Sequence, residues 1–216
     1  MSHPFTVFDA AQRSEAWQAA RCGRLTASRA KDILTTIKTG EAAARRDYRL
    51  QLVVERLTGE PQENGFVNAD MQRGIELEAA AFAAYEAVTG QLLDRCGFVA
   101  HDALMIGCSP DGVVDDFTGI VELKVPRSAT HLRYLREGGV PAEHAAQILH
   151  SLWVTGAAYC DFLSYDPRFP TSLQTCYLRV PRDERAIAEY EQRALVFLAE
   201  VQAEVEAVGH MAAMRA

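Results

Sequence analysis

The stretch Cys108-Ser109-Pro110-Asp111-Gly112-Val113-Val114-Asp115-Asp116-Phe117-Thr118-Gly119-Ile120-Val121-Glu122-Leu123-Lys124-Val125-Pro126 decides how this chain folds. Two short apolar runs flank Asp115-Asp116-Phe117-Thr118-Gly119, which reads as a hairpin turn. Strand side chains alternate, so Glu122 and Lys124 share one face and Val121, Leu123 and Val125 the other. The turn folds Asp111 back towards Glu122, so two carboxylates and an ammonium group converge at one end of an antiparallel pair. That set suits a hard divalent cation, because Mg²⁺ takes oxygen ligands and is often held by one or two carboxylates plus substrate phosphate. Lys124 beside it would orient a water and favour its deprotonated form, which is chemistry for phosphodiester hydrolysis. The bland alternative is a solvated hairpin with an ordinary Glu–Lys pair. The surroundings weigh against it, since Ile-Val-x-Leu-x-Val-Pro is core composition, where charges are rare unless paired or bound to metal.

Outward from this hairpin, a period of two predicts strands over 91–94, 98–101, 104–108, 112–116 and 119–125, with apolar strands at 158–165 and 175–180. Helical spacing predicts helices over 13–20, 26–37, 42–57, 68–88, 128–137, 142–155 and 182–208. The second is expected to be capped by Thr26 or Ser28, and 61–65 reads as a loop. In the helix over 68–88, Met71, Ile75, Ala79 and Phe82 form the expected apolar stripe, with Glu78 at its edge. Ile187, Tyr190, Ala194, Phe197 and Val201 form that of the last helix. Helices around strands imply an α/β (α+β) domain with a central mixed β-sheet. With 216 residues, 49% of them hydrophobic, the chain can bury a core and is read as a single domain over 1–216.

No apolar run is long enough to span a membrane, and the amino terminus lacks the basic-then-apolar pattern of a secretory leader. Five cysteines without a C-x-x-C pair read as reduced thiols of a cytosolic protein, not as a zinc or disulfide framework. The net charge of −7 argues against a protein that coats nucleic acid along its whole surface, although a local basic lining is compatible with it. Candidate linings are Arg21/Arg24/Arg29/Lys31, Arg45/Arg46/Arg49 and Arg127/His131/Arg133/Arg136. His101, His131 and His150 lack ligand spacing. Ser109 has no G-x-S-x-G surroundings and is better suited to receive a phosphate oxygen than to act as a nucleophile. Arg21 can make a bidentate contact to a terminal phosphate. His144, Gln147 and Ser151 fall on one side of their helix, which can bring Gln147 near Asp111 and Glu122.

In its motifs the chain resembles the phage lambda exonuclease family, the YqaJ-type viral recombinases of the PD-(D/E)xK nuclease superfamily. The resemblance rests on Trp17 with Arg21-Cys22-Gly23-Arg24-Leu25-Thr26-Ala27-Ser28, on Arg73-Gly74-Ile75-Glu76-Leu77-Glu78, and on Ser109-Pro110-Asp111-Gly112. It continues through Glu122-Leu123-Lys124-x-Pro126, Ala146-Gln147-x-x-x-Ser151-x-Trp153 and Tyr165-Asp166-Pro167-Arg168. One departure is that Leu149 stands where family members often carry the second glutamine of Gln-x-Gln.

The resemblance implies a restriction-endonuclease-like core. It implies Asp111, Glu122 and the Leu123 carbonyl as Mg²⁺ ligands, with Glu78 supporting, two ions per site and Mn²⁺ as a possible substitute. Lys124 would be the catalytic lysine, and Arg21, Ser28 and Ser109 would hold a 5′-phosphate, with Gln147 a further candidate. It further implies 5′→3′ digestion of one strand of linear duplex DNA, leaving 3′ single-stranded overhangs. A homotrimeric ring, a single-strand annealing partner and the cytoplasm of a bacterial host complete the expectation. Two alternatives stand beside it, an endonuclease of the same superfamily and a non-catalytic DNA-end-binding protein.

Overall fold

A computed structural model describes residues 3–62 and 69–214, without the side chains of 69–71 and 212. The expected start of a helix at Asn68, the Met71 side chain and most of the 61–65 loop therefore lie outside the described residues.

The quoted hairpin forms as expected. Strands β6 (Gly112–Val114) and β7 (Gly119–Lys124) pair antiparallel, with Gly112 opposite Val121 and Val114 opposite Gly119. Asp115, Asp116 and Phe117 all take left-handed backbone in the turn, with φ of 46°, 49° and 65°. Aspartate tolerates this region better than most residues. Phe117 is held there by edge contact with Phe5, ring centroids 4.8 Å apart.

The strands divide between two sheets where one central sheet was expected; the mixed α/β class is unchanged. Strands β1 (Phe5–Phe8), β2 (Leu25–Thr26), β4 (Phe98–His101) and β5 (Ile106–Cys108) form one sheet in the order β1-β4-β5-β2. Strands β3 (Asp94–Arg95), β6, β7, β8 (Tyr159–Tyr165) and β9 (Thr175–Pro181) form the other in that order. The chain passes from the first to the second through Ser109-Pro110-Asp111. Strand β7 is central, antiparallel to β6 and parallel to β8. Helices cover β7 on both faces, which is why its run of apolar residues is nearly continuous.

On one face Val121 and Leu123 pack with Ala81 and Tyr85 of α4 (Ala69–Thr89). On the other, Ile120 packs with Tyr134 of α5 (Ser128–Glu137) and with Ile148 and Leu152 of α6 (Ala142–Thr155).

Several local expectations need correction. The buried face of α4 carries Ala81 and Tyr85, both 0% exposed, while Ile75 is 40% exposed. The stripe through Ile75 and Ala79 is thus misplaced, because an alanine-rich helix offers little contrast between faces. The segment after Thr26 is a single 3₁₀ turn, Ala27–Arg29, followed by α2 (Ala30–Leu34). Thr26 stands at the cap position of the 3₁₀ turn without a side-chain capping hydrogen bond, and Arg29, not Ser28, occupies that of α2. The strand expected over 91–94 is confined to Asp94–Arg95. Strands β1 and β2 went unanticipated, being short and paired to distant segments.

The remaining helices match in place: α1 (Glu15–Arg21), α3 (Ala43–Thr58) and α7 (Glu184–Ala213). The α7 stripe of Ile187, Tyr190, Ala194, Phe197 and Val201 is buried as expected. The Arg45/Arg49 cluster on α3 is consumed by ion pairs to Glu41, Glu200 and Glu204. These pairs tie α3 to α7, and Arg46 of the same expected lining pairs with Asp47.

Candidate active site

The register that sets Gly112 opposite Val121 sets Asp111 beside Glu122, and the backbone fixes the pair. Asp111 N–H donates to the Val121 carbonyl at 3.0 Å, and Leu123 N–H donates to Asp111 Oδ2 at 2.7 Å. An extended residue carries its N–H and C=O towards the same side. The Leu123 carbonyl therefore faces the Asp111 side. Gly112 leaves room for the Leu93 side chain just before β3, which a Cβ there would meet at 2.5 Å.

Glu122 is 4% exposed and accepts hydrogen bonds from Lys124 Nζ and, at 2.5 Å, from Gln147 Nε2. Burial opposes the charge on Lys124, but Glu122 and Asp111 together hold its pKa above the ordinary value. Burial, then the nearby charge of Glu122, push Asp111 well above the carboxylate range, with Lys124 and the Leu123 amide pulling back. Two neighbouring carboxyl groups beside a strand carbonyl form an all-oxygen donor set whose crowding around Asp111 a hard cation would relieve. The residues present fit such an ion. Among the described residues no group of three or more His, Cys, Asp or Glu is arranged around one point.

Glu78 stands apart from this set. Its side chain is 45% exposed and ion-pairs with Arg95, whose guanidinium lies over Phe82. Its charge still reaches Asp111, where it adds to the upward push. Leu149 packs against the cores on both sides of α6, so the departure from Gln-x-Gln places a packing residue there, and Gln147 alone of the two reaches Glu122.

A second constellation gathers around Ser109, two residues before Asp111. Trp17 Nε1 donates to Ser109 Oγ at 2.9 Å, and Arg21 lies over the Trp17 ring at 4.0 Å. Parallel pairing of β2 with β5 sets Thr26 beside Gly107, which brings Ser28 to the same end of β5. Ser28 is exposed, its hydroxyl 3.4 Å from that of Thr26. Arg21 and Ser109 thus meet at Trp17, and Ser28 follows the end of β2 as Ser109 follows the end of its partner β5.

Sequence reasoning passed over two polar networks. Asp161, fully buried on β8, accepts from Tyr85, Tyr177 and, twice, Arg179. Asp166, also buried, pairs with Arg73 and Arg168 and accepts from Ser128. The lone acid inside the apolar run Tyr159–Tyr165 was the available signal for the first. His131 and His150 are buried structural residues; each faces a carbonyl, of Leu173 and Gly107, so each donates from Nε2 and accepts at Nδ1 from Ser164 or Tyr190. A cavity of about 520 Å³ lined by Ile33, Ile37, Arg45 and Val196 includes none of the site residues.

The model of the YqaJ-like viral recombinase domain matches residues 16–158. The chain is 40% identical to LHK-Exo, an alkaline exonuclease from Laribacter hongkongensis, over 94% of this chain and 100% of that one. The TM-score is 0.84 to its complex with dAMP and 0.83 to a second structure. A phage-related exonuclease from Haemophilus somnus 129PT shares the fold at TM-score 0.67 and 14% identity, over 87% of this chain and 96% of that one. No curated protein matches the chain.

Proposed function

The chain belongs to the YqaJ-like viral recombinase family, and on that premise we propose that it is a Mg²⁺-dependent 5′→3′ exonuclease. It degrades one strand of linear duplex DNA and leaves 3′ single-stranded overhangs for recombination by strand annealing. The observation that carries this reading is the meeting of Asp111, Glu122, Lys124 and Gln147 at the end of β7. The relative's name as an alkaline exonuclease, and its complex with a nucleoside monophosphate, support the same reading.

Asp111, Glu122 and the Leu123 carbonyl hold the ion or ions, with Glu78 supporting and Mn²⁺ as a substitute for Mg²⁺. When bound, the metal supplies Lewis acidity at the scissile phosphate and a more acidic water. Lys124 orients the attacking water and stabilises its deprotonated form. Gln147 fixes the Glu122 carboxylate. Arg21, Ser28 and Ser109 take the 5′-phosphate, through charge and hydroxyl donors. On the warrant of the family resemblance, three copies form a ring around the duplex and a single-strand annealing protein receives the overhang. Sedimentation at three times the 23.8 kDa of one chain is expected.

The test is digestion of linear duplex labelled on either strand end, beside closed circular DNA, with Mg²⁺ or EDTA. Loss of the strand bearing the 5′-phosphate, only with metal and with circles spared, is the expected result. Cleavage of circles would replace the reading with an endonuclease, and no cleavage with any metal would leave an end-binding protein.

A further inference from the structure

Trp17 touches two of the three residues assigned above to the 5′-phosphate. It sits in the first turn of α1, where Ser14 Oγ accepts from its backbone N–H at 3.2 Å. From there its indole N–H reaches Ser109 Oγ at 2.9 Å, and its ring lies 4.0 Å from the guanidinium carbon of Arg21. Phe98 approaches the same guanidinium at 6.0 Å.

We propose that Trp17 is the positioning residue of the phosphate pocket, setting the direction in which Ser109 donates and holding the Arg21 head in place. The inference rests on the assignment of Arg21, Ser28 and Ser109 to a 5′-phosphate. An indole N–H donates and never accepts. Ser109 Oγ must therefore accept from Trp17, which leaves its own proton to donate elsewhere. That is the polarity a phosphate oxygen requires. A carbonyl or carboxylate in the place of the indole would draw the Ser109 proton to itself and turn lone pairs towards the anion.

The hold on Arg21 has the same character. The ring face attracts the cation through its quadrupole, an interaction that consumes none of the guanidinium's N–H donors. A carboxylate holding Arg21 from that side would offset the positive charge that a phosphate needs. One aromatic side chain thus orders a hydroxyl and a guanidinium together and adds no negative charge to the pocket.

The experiment compares kcat/KM on linear duplexes carrying a 5′-phosphate or a 5′-hydroxyl, for the wild-type protein, Trp17→Phe, Trp17→Leu and Arg21→Ala. Trp17→Phe keeps a ring face and loses the donor, so the preference for phosphate is expected to fall several-fold, through KM. Trp17→Leu loses both functions, and its preference is expected to fall to that of Arg21→Ala. Equal losses on both kinds of end would mark Trp17 as merely structural and overturn the inference. So would a wild-type preference in both Trp17 variants while Arg21→Ala loses its own. If Arg21→Ala keeps the preference, or the wild-type protein has none, the pocket assignment itself fails and the inference falls with it.

Discussion

Glu122 is a carboxylate in the middle of a sheet, and its two hydrogen-bond donors explain how it is tolerated there. Lys124 supplies the counter-charge and Gln147 the fixed orientation. A hydrogen bond to a charged group contributes about 1.5–3 kcal/mol. Gln147→Leu is therefore expected to slow hydrolysis about ten- to a hundredfold, read as the initial rate on linear duplex. Leu149→Gln is expected to restore nothing, since residue 149 faces the cores; it should instead lower stability by about 2 kcal/mol in urea unfolding. Asp111 adds a pH dependence. With its pKa raised to about 7, binding of the proposed Mg²⁺ is expected to displace a proton, so its affinity should rise with pH across neutrality. Calorimetric titration in two buffers of different ionisation enthalpy should detect the released proton.

At the scale of elements, β7 is the part most legible in sequence. Alternation gives its two faces, and Asp115-Asp116 followed by Thr118-Gly119 gives the turn that brings Asp111 to Glu122. Helix α4 is less legible, because Ala79, Ala80, Ala81, Ala83 and Ala84 offer no contrast from which to choose a face. What chooses it is tertiary: Tyr85 reaches through to Asp161 at 2.8 Å, and Arg179 closes the network from β9. Such a network leaves no trace in local periodicity. Removing its centre strands the surrounding donors, so Asp161→Ala is expected to cost about 3 kcal/mol in chemical denaturation. The residues proposed for a phosphate pocket were visible as a motif, yet their geometry was not, because Trp17 and Ser109 lie 92 residues apart and meet only in the folded chain.

For the whole molecule, buried histidines link stability to acidity. Burial lowers the pKa of His150 to about 4, and burial together with Lys124 lowers that of His144 to about 4 as well. In the unfolded chain both titrate near 6.5. The unfolded state therefore binds protons first, so full stability holds above about pH 6.5 and is lost as the pH falls towards 4. His150 contributes at most about 3 kcal/mol to that loss, and the less buried His144 less than that. Urea midpoints measured from pH 7.5 to 4.5 should fall steadily. The chain passes between the two sheets at Ser109-Pro110-Asp111, so Ser109, proposed for the 5′-phosphate, and Asp111, proposed for the metal, share a single bend of chain.

The measurement that tests the central claim most directly is DNA hydrolysis by Lys124→Ala, with circular dichroism and thermal unfolding confirming the fold. A well-folded protein whose turnover on linear duplex with Mg²⁺ falls by about a hundredfold or more is the expected result. A folded variant that keeps its turnover within a few-fold of the wild type would contradict it.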